Sequence, residues 1–417
     1  MEKIKLVLVG NGMAGVRTLE ELLKLAPELY DVTVFGAEPQ GNYNRILLSP
    51  VLAGEMDLPE IMLNDLDWYR DRGVTLHAGK RVVKIDRVGR KVVAEDGTEA
   101  RYDRLLLATG STPFIPPIPG SALPGVLGYR DIADTEAMIA AAGRYRHAVV
   151  IGAGVLGLEA ANGLMRRGMA VTVVHKGDWI MERQLDKAAA DMLQAELEAR
   201  GMKFLLACQT EALLPAAQDG GEGGRVGALR LADGAEIPAD LVVIAAGIRP
   251  NVALAEAAGL YCGSGPVRGI HVSDTLQTVT DPRIYAVGEC VAHRGVAYGL
   301  VAPLFEQARV CASHLANVGV GRYTGSVTST KLKVTGIDVF SAGDFSGGEG
   351  TEEIVLRDRQ GGVYKRVVLR NDRIVGSVLY GDTADGAWHF QLMKDGEDVS
   401  AFRDHLLFGC PVAAAMA

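Results

Sequence analysis

Apolar residues along this chain of 417 residues fall into short runs that alternate with longer amphipathic stretches. Short apolar runs predict buried strands, and apolar residues spaced three or four apart predict helices. Such alternation is typical of an α/β fold built on parallel sheets. The first part of the chain predicts strands at 4–9, 32–35, 74–77 and 105–108 and a helix at 16–24, and a similar unit begins at 148 with a strand at 171–174 and a helix at 187–200.

Some stretches depart from this alternation. Residues 80–95 predict antiparallel strands joined by a turn at Gly89, and the glycine-rich run 220–224 predicts a loose hairpin tip between Leu213 and Val226. Beyond residue 330 the pattern changes to short strands, which predicts a separate α+β domain. Its strands are predicted at 331–334, 339–342, 353–357, 364–370 and 374–379. A stiff, extended crossing between domains is predicted by Pro113, Pro116, Pro117, Pro119 and Pro124.

A glycine fingerprint, GxGxxG, occurs twice, each time after a predicted strand and before a predicted helix. The copies are residues 10–15 (GNGMAG) and 152–157 (GAGVLG). In such a loop the first glycine allows a sharp turn, the second lets a pyrophosphate approach the backbone, and the third lets the helix pack close to the strand. The free N–H groups at the helix N-terminus then bind the anion. Two copies in one chain indicate an enzyme that binds two dinucleotides.

Composition and charge further narrow the functional class of the protein. A formal net charge of −8 without a basic cluster disfavours nucleic-acid binding, and no apolar run approaches the length of a membrane span. The chain enters a strand directly at its N-terminus, which predicts that there is no signal peptide. None of the five cysteines belongs to a CxxC pair, so we expect free thiols, no metal site and a cytoplasmic location.

Three apolar strands end in small turns, at residues 105–111, 241–251 and 284–290. Together with the two fingerprints, in this order, they resemble the two-dinucleotide flavoprotein reductases of the glutathione reductase type. The resemblance implies FAD at the first fingerprint and NADH or NADPH at the second, on two Rossmann-like domains of an α/β fold with a small C-terminal α+β domain. The expected segments are 1–118 and 246–325 for the FAD domain, 119–245 for the NAD(P)H domain, 326–410 for the α+β domain and 411–417 for a tail or linker.

The predicted cofactor contacts cluster at the two fingerprints and the strand ends. Around the first fingerprint they are Gly10, Gly12, Met13, Ala14, Gly15, Glu38, Arg45, Val83, Ala108, Thr109, Gly110, Gly288, Glu289, Pro303 and Leu304. Around the second they are Gly152, Gly154, Val155, Leu156, Gly157, His175, Lys176 and Gly247.

Four side chains carry individual hypotheses. Glu38 follows a strand at the offset of a carboxylate that accepts both ribose hydroxyls, with a solvated loop acid as the alternative. Arg45 is expected to contact flavin or phosphate, with a surface salt bridge as the alternative. Glu289 is expected at the ribityl chain. Glu159 is a candidate catalytic residue near the nicotinamide, with a partly buried acid on a packing face as the alternative.

The choice between NADH and NADPH stays open from the sequence. An NAD enzyme normally has Asp or Glu after the second strand of the unit, whereas this chain has His175 and Lys176. Lys176 could attract a 2′-phosphate with help from Arg183, and Asp178 could serve the ribose. Ordinary solvent-facing loop residues are the alternative for His175 and Lys176.

A tighter resemblance covers nearly the whole chain. Residues 42–54 (NYNRILLSPVLAG), 181–186 (MERQLD), 299–308 (GLVAPLFEQA), 330–339 and 379–383 resemble the flavin module of the NAD(P)H-nitrite reductase large subunit. The C-terminal part resembles that of NADH:rubredoxin reductases. This implies electron transfer from NAD(P)H through FAD to an acceptor protein: an iron–sulfur and sirohaem nitrite reductase part, a nitrate reductase or a rubredoxin. A stand-alone rubredoxin reductase, an NAD(P)H oxidase and a non-enzymatic redox-regulated protein remain alternatives, and the chain is expected to be a monomer or homodimer.

The departures from these families refine the expectation. Disulfide reductases of this fold carry a thiol in the segment that corresponds to residues 43–52, and this segment contains no cysteine. Cys290 is expected to be a small buried residue and not a redox-active thiol. Pro50 stands where ferredoxin-reductase relatives have a lysine, so no lysine–glutamate pair with Glu159 is expected. The chain lacks the closely spaced thiolates of the iron–sulfur and sirohaem segments, so we expect it not to reduce nitrite by itself.

Overall fold

The computed structural model describes residues 3–216, 224–265, 267–334 and 336–409. The predicted glycine-rich hairpin tip therefore lies almost entirely outside the described residues, as do Cys410 and the predicted tail 411–417. Among the described helices, none combines the length and the apolar character needed to cross a membrane.

The helices of the described chain follow in sequence order. They are α1 (Met13–Leu25), α2 (Leu48–Ala53), α3 (Leu66–Asp71), α4 (Ile132–Ala142), α5 (Val155–Arg166), α6 (Lys187–Ala199), α7 (Ala253–Ala257), α8 (Val301–Leu315) and α9 (Gly386–Asp395), with 3-10 turns at Arg45–Leu47, Leu58–Ile61 and Ser400–His405.

The strands are short, as the sequence predicts. They are β1 (Ile4–Val9), β2 (Tyr30–Phe35), β3 (Asn42–Tyr43), β4 (Met62–Asn64), β5 (Thr75–His77), β6 (Val82–Asp86), β7 (Lys91–Ala94), β8 (Glu99–Arg101), β9 (Arg104–Leu107), β10 (Ser111–Pro113), β11 (Val126–Leu127), β12 (His147–Ile151), β13 (Ala170–Val174), β14 (Lys203–Leu205), β15 (Thr210–Pro215), β16 (Val226–Leu231), β17 (Glu236–Pro238), β18 (Leu241–Ile244), β19 (Ile248–Pro250), β20 (Ile270–His271), β21 (Ile284–Ala286), β22 (Val291–Ala292), β23 (Ser329–Val334), β24 (Ile337–Gly343), β25 (Glu352–Asp358), β26 (Val363–Arg370) and β27 (Arg373–Tyr380).

The chain divides into two compact units. The first comprises the chain up to Leu48, Met56–Pro113 and Gly247–Ser326. Its central sheet has the order β21-β9-β1-β2-β5, and all its pairings are parallel. The stretches 6–9 of β1 and 105–107 of β9 are apolar and buried, because both faces of a parallel sheet are covered. A small antiparallel sheet, β6-β7-β8, confirms the strands predicted around Gly89.

The second unit comprises Ser49–Glu55, Phe114–Ala246 and the chain from Val327 onward. It contains a parallel sheet of order β11-β18-β12-β13-β14, which is the second Rossmann-like unit. It also contains an antiparallel sheet of order β23-β24-β27-β26-β25, against which α9 packs. The strands predicted between 331 and 379 are confirmed, and each is one to three residues longer than predicted.

Helix α2 belongs almost entirely to the second unit, although its neighbours in sequence belong to the first. It packs on α5 at Gly163, where a β-carbon would come within 2.6 Å of the Leu52 side chain. The guanidinium of Arg167 donates to the carbonyl oxygens of Leu52 and Val51. These contacts fix the position of Ser49, the first α2 residue in this unit.

Candidate functional site: two dinucleotide loops

The first fingerprint loop leaves β1 and enters α1 with the geometry that an anion needs. Gly10 has φ +108°, and a β-carbon there would lie 2.1 Å from the Ala108 carbonyl oxygen. Gly12 is the N-cap of α1 and has no side-chain cap, and a β-carbon there would meet no atom within 4 Å. Gly15 lies 3.0 Å from the Gly10 carbonyl oxygen at its would-be β-carbon. Free N–H groups therefore face open space at Gly12, with α1 held close to the sheet.

Hydrogen bonds that the sequence analysis missed hold this loop in place. The Asn11 side chain accepts a hydrogen bond of 2.7 Å from the Tyr69 hydroxyl, and its backbone carbonyl accepts one of 3.0 Å from the Asn42 amide. Tyr69 is fully buried, and burial raises its pKa to about 12. Its phenol therefore stays protonated as a donor. Asn11 stands at a variable position of the fingerprint, so the glycine spacing did not indicate these hydrogen bonds.

Glu38 and Arg45 lie together beside the first loop. The Glu38 carboxylate pairs with the Arg45 guanidinium and accepts a hydrogen bond of 2.6 Å from the Tyr43 hydroxyl. The guanidinium also lies over the Tyr43 ring, 4.9 Å from its centre. Both members of the pair are only partly exposed, so the arginine is oriented rather than free on the surface. The structure thus joins two residues that the sequence suggested separately.

The strand ends of the first unit meet near Glu289. The Ser111 hydroxyl donates to the Glu289 carboxylate at 2.8 Å, and the Thr109 hydroxyl donates to the Asn251 carbonyl at the same distance. The N–H of Gly288 donates to the buried Gln307 side chain at 2.9 Å. Gln307 lies in a motif that the sequence analysis quoted, but its role in fixing this turn was missed.

The remaining predicted contacts of the first unit lie on the same framework or at its margin. Pro303 and Leu304 are buried in the first turn of α8, whose N-cap Leu300 has no side-chain cap. Val83 is half-exposed on β6. Met13 and Ala14 open α1, and Ala108 and Gly110 flank Thr109. Gly247, which was predicted for the second loop, belongs to the first unit and has φ +115° just before β19.

The second fingerprint repeats this geometry between β12 and α5. Gly152 has φ +113°, and its would-be β-carbon lies 2.4 Å from the Ala245 carbonyl oxygen. Gly154 is an N-cap without a side-chain cap, and a β-carbon there meets nothing within 4 Å. A β-carbon at Gly157 would lie 2.0 Å from the Gly152 carbonyl oxygen, so only glycine lets α5 pack this close. Val155 and Leu156 form the first turn of α5, and Leu156 is partly exposed.

The sequence analysis gave a solvent-facing loop residue as one alternative for His175, but the structure shows this side chain largely buried. Its side chain is 11% exposed, and its Nδ1 accepts a hydrogen bond of 3.4 Å from the N–H of Ala153 inside the fingerprint. Burial lowers the pKa of His175, so the imidazole is neutral near pH 7. His175 therefore supports the loop and supplies no cation there. The chain folds back over it, since the N–H of Met181 donates to the Ala153 carbonyl at 2.9 Å.

The charged groups around this loop are consequently fewer than the sequence suggests. Lys176, Asp178 and Arg183 are exposed. The Glu182 carboxylate lies 3.9 Å from His175 Nε2. Both signs of charge are therefore present near the end of β13.

Glu159 lies in the second turn of α5, beyond the fingerprint. The Ser49 hydroxyl donates to its Oε2 at 2.6 Å, and the Tyr129 hydroxyl donates to Ser49 at 3.3 Å. Burial raises the pKa of Glu159, and the Ser49 hydrogen bond opposes this shift. Ser49 and Tyr129 were not singled out from the sequence, because they are remote from Glu159 along the chain.

The described cysteines are free thiols. Cys290 and Cys311 are fully buried, and burial raises the pKa of both thiols. Burial also raises the pKa of Cys262 to about 11. A buried thiol of high pKa is a poor nucleophile, which agrees with the expectation against disulfide chemistry.

Comparisons with known proteins give the chain its relatives. It is 51% identical over 401 residues to the nitrite reductase [NAD(P)H] of Bacillus subtilis, covering 96% of this chain and 48% of that protein. It is 45% identical to the assimilatory nitrate reductase electron transfer subunit of the same organism, covering 98% of this chain and 51% of that protein. The chain thus spans about half the length of these relatives.

A solved structure shares the fold along the whole chain. The covalent putidaredoxin reductase–putidaredoxin complex matches with a TM-score of 0.84 and 26% identity, and the match covers 100% of both chains. The predicted fold class, with two Rossmann-like domains and a C-terminal α+β domain, is confirmed.

Two family models match successive parts of the chain. The rubredoxin NAD⁺ reductase C-terminal domain matches residues 329–397. The pyridine nucleotide-disulphide oxidoreductase profile matches residues 4–314, most of the chain. The resemblance inferred from the sequence is confirmed, and this chain belongs to the pyridine nucleotide-disulphide oxidoreductase family of enzymes.

Proposed function

We propose that this chain passes electrons from NAD(P)H through FAD to an iron–sulfur or rubredoxin-type acceptor, as the electron-input part of a nitrite or nitrate reductase system. The observation that carries the proposal is the pair of fingerprint loops. Each has an open middle glycine and an uncapped helix N-terminus. The nitrite and nitrate reductase relatives support the acceptor system.

The residues of both loops fit a dinucleotide. A side chain at Gly12 or Gly154 would fill the space over the helix N-terminus, which in each loop is open. The first loop would hold the FAD pyrophosphate, with the Glu38 carboxylate as acceptor for ribose hydroxyls and Arg45 oriented toward phosphate. The second loop would hold the NAD(P)H pyrophosphate, with Lys176 and Arg183 available to a 2′-phosphate.

The chemistry belongs to the cofactors. FAD supplies a flavin that takes up a hydride and releases electrons one at a time. The chain's own residues bind, orient and exclude water. Glu289, fixed by Ser111, would accept from the ribityl hydroxyls, and Glu159 would contact the nicotinamide.

The test starts from purified, FAD-loaded chain under anaerobic conditions. NADH or NADPH should bleach the flavin, and ferricyanide should be reduced at a steady rate. Nitrite should not be consumed by the chain alone, because a flavin has no metal site that binds and activates nitrite. Chain that cannot be reconstituted with FAD, or ammonium formed from nitrite by metal-free chain, would contradict the proposal.

A stand-alone rubredoxin reductase is the second candidate. The match of residues 329–397 to a rubredoxin reductase C-terminal domain favours it. Fast transfer to rubredoxin, together with failure to reduce any cluster-bearing nitrite reductase segment, would support this alternative. Rapid peroxide formation from NAD(P)H without a carrier would instead favour an oxidase. A cytoplasmic location and a monomeric or homodimeric state stay predictions.

A further inference from the structure

The segment 177–186 lies against the second fingerprint loop. In its middle, the N–H of Met181 donates to the Ala153 carbonyl of the fingerprint at 2.9 Å. Met181 is 1% exposed and has φ +52°, a left-handed conformation that is uncommon for a residue other than glycine. Such a conformation persists only where the surrounding structure holds it. The contact with the fingerprint therefore depends on what anchors this segment.

Hydrogen bonds inside the segment make its second half one compact piece. The N–H groups of Gln184 and Leu185 donate to the Met181 carbonyl at 2.7 and 2.8 Å. The Trp179 indole donates to the Leu185 carbonyl at 3.1 Å. Leu185 is fully buried. A displacement at the end of the segment, Asp186, is therefore passed on to Met181 and to the fingerprint.

Asp186 is fixed by two side chains of the α+β domain. Its Oδ2 accepts a hydrogen bond of 2.9 Å from the Arg366 guanidinium and another from the Tyr364 hydroxyl, both on β26. Its Oδ1 accepts from the N–H of Ala189 at 3.3 Å, as the N-cap of α6. The side chains of Asp186 and Arg366 are only 10% and 12% exposed. We call Asp186, Tyr364 and Arg366 the Asp186 cluster.

The Asp186 cluster is also tied into the rest of the α+β domain. The second terminal nitrogen of the Arg366 guanidinium donates to the Glu353 carboxylate on β25 at 2.7 Å and to the Ser346 carbonyl at 3.2 Å. Burial and the Asp186 carboxylate raise the pKa of Tyr364, so its phenol stays a hydrogen-bond donor. A planar guanidinium can bridge two carboxylates in this way. Arg366 thereby connects the α+β sheet to the segment beside the second fingerprint.

We propose that Arg366 and Tyr364 are positioning residues for NAD(P)H, which act through Asp186 to hold the second fingerprint loop in the geometry that accepts the pyrophosphate. This inference rests on the proposed function and deepens it, because it gives the α+β domain a part in nucleotide binding. A loop released from the cluster spends only a fraction of its time in that geometry. The affinity for the nucleotide falls by the same fraction.

Arg366→Gln tests the proposal in FAD-loaded chain with ferricyanide as the acceptor. The substitution removes the ion pair to Asp186, so KM for NADH should rise about tenfold, the lower end of what one hydrogen bond to a charged group contributes. The dissociation constant for NAD⁺ should rise by a similar factor. The kcat at saturating NADH should stay within about twofold, because bound nucleotide selects the competent geometry. FAD content should be unchanged.

Lys365→Met is the matched control. Lys365 lies between the two positioning residues on β26, but its ammonium group pairs with Asp382 and Asp385 of the α+β domain at 2.7 and 2.9 Å. Lys365 is 5% exposed, so its replacement also breaks a buried ion pair and should lower the melting temperature. Its KM for NADH should nevertheless stay within about twofold of the wild-type value. The control thus separates lost stability from lost positioning.

Two further variants test whether the effect passes through Asp186. Asp186→Asn keeps an N-cap for α6 but removes the charge, so it should also raise KM for NADH. Combined with Arg366→Gln, it should raise KM by much less than the product of the two single effects, because both remove the same ion pair. Tyr364→Phe keeps the ion pair and should give a smaller rise. Asp186→Asn and Tyr364→Phe also carry the test if Arg366→Gln does not fold.

The outcomes separate this inference from the proposed function. An unchanged KM in the cluster variants, an equal rise in Lys365→Met, or effects of Asp186→Asn and Arg366→Gln that multiply overturns the inference alone, since wild-type flavin is still bleached by NADH. Wild-type flavin that is bleached by neither NADH nor NADPH overturns both.

Discussion

Gly154→Val tests how the two fingerprint loops divide the cofactors. Gly154 has φ −78° and ψ −179°, a conformation that any residue adopts, and a β-carbon there meets no atom within 4 Å. The substitution therefore introduces no strain, and replacing glycine by valine at an N-cap should lower the free energy of unfolding by about 1 kcal/mol at most.

Gly152 provides the matched contrast two residues earlier. Its φ of +113° is unfavourable for any other residue, and a β-carbon would lie 2.4 Å from the Ala245 carbonyl oxygen. Gly152→Ala should therefore destabilise by about 1–3 kcal/mol from backbone strain, with the overlap in addition. The melting temperature should fall clearly for Gly152→Ala and little for Gly154→Val.

The binding effect should be the reverse of the stability effect. The valine side chain of Gly154→Val occupies the space that a pyrophosphate would take, and losing one charge-assisted backbone hydrogen bond costs about 1.5–3 kcal/mol, or about 10- to 150-fold in KM for NADH. FAD content should persist, as measured by flavin absorbance after gel filtration. An unchanged KM would refute the site, and loss of FAD first would show that the two loops are assigned the wrong way round.

Further predictions concern thiols, cofactor choice and pH. Replacing all five cysteines with alanine should preserve ferricyanide reduction, and a folded, FAD-loaded variant without turnover would revive a disulfide mechanism. Lys176→Ala should raise the KM for NADPH about tenfold and change that for NADH less than about twofold, as expected for one charge-assisted contact; equal effects would exclude a 2′-phosphate role. Burial lowers the pKa of His389, which bonds Ser377 and the Leu406 carbonyl. The stability that it contributes is therefore present above its ordinary pKa and lost as the pH falls, so wild-type chain should lose more melting temperature than His389→Asn between pH 7.5 and 5.5, and parallel losses would argue against this assignment.

Local pattern sufficed for much of the fold. The first predicted strand, 4–9, matches β1 at both ends, and the helix predicted at 187–200 matches α6 to within one residue. Both have strong periodicity and clear boundaries. The proline-rich crossing hid β10, because its three residues pair with β19, which is remote in sequence. A strand that short has no periodicity of its own to detect.

For the candidate site too, features encoded by neighbouring residues could be predicted, and contacts between remote residues could not. The fingerprint glycines could be predicted because their spacing along the chain encodes the geometry of the loop. The hydrogen bonds that join Ser49 to Glu159 and Tyr129 could not be predicted, since these residues lie 110 and 80 positions from Ser49. The burial of His175 could not be predicted for a related reason: it depends on the following segment folding back onto Ala153, which the residues next to His175 do not reveal.

The membership of α2 in the second unit has a consequence for synthesis on the ribosome. Arg167, which donates to the Leu52 carbonyl, follows Leu52 by 115 residues. At a synthesis rate of about 5–20 residues per second, Arg167 is therefore added about 6–23 s after Leu52. The first unit waits longer still, because the edge strand β21 of its sheet is made after the second Rossmann-like unit. Val51 and Leu52, both buried in the folded protein, lack their contacts with Gly163 and Arg167 throughout that interval. Each unit is assembled from separate stretches of the chain, so neither can be produced as one uninterrupted fragment.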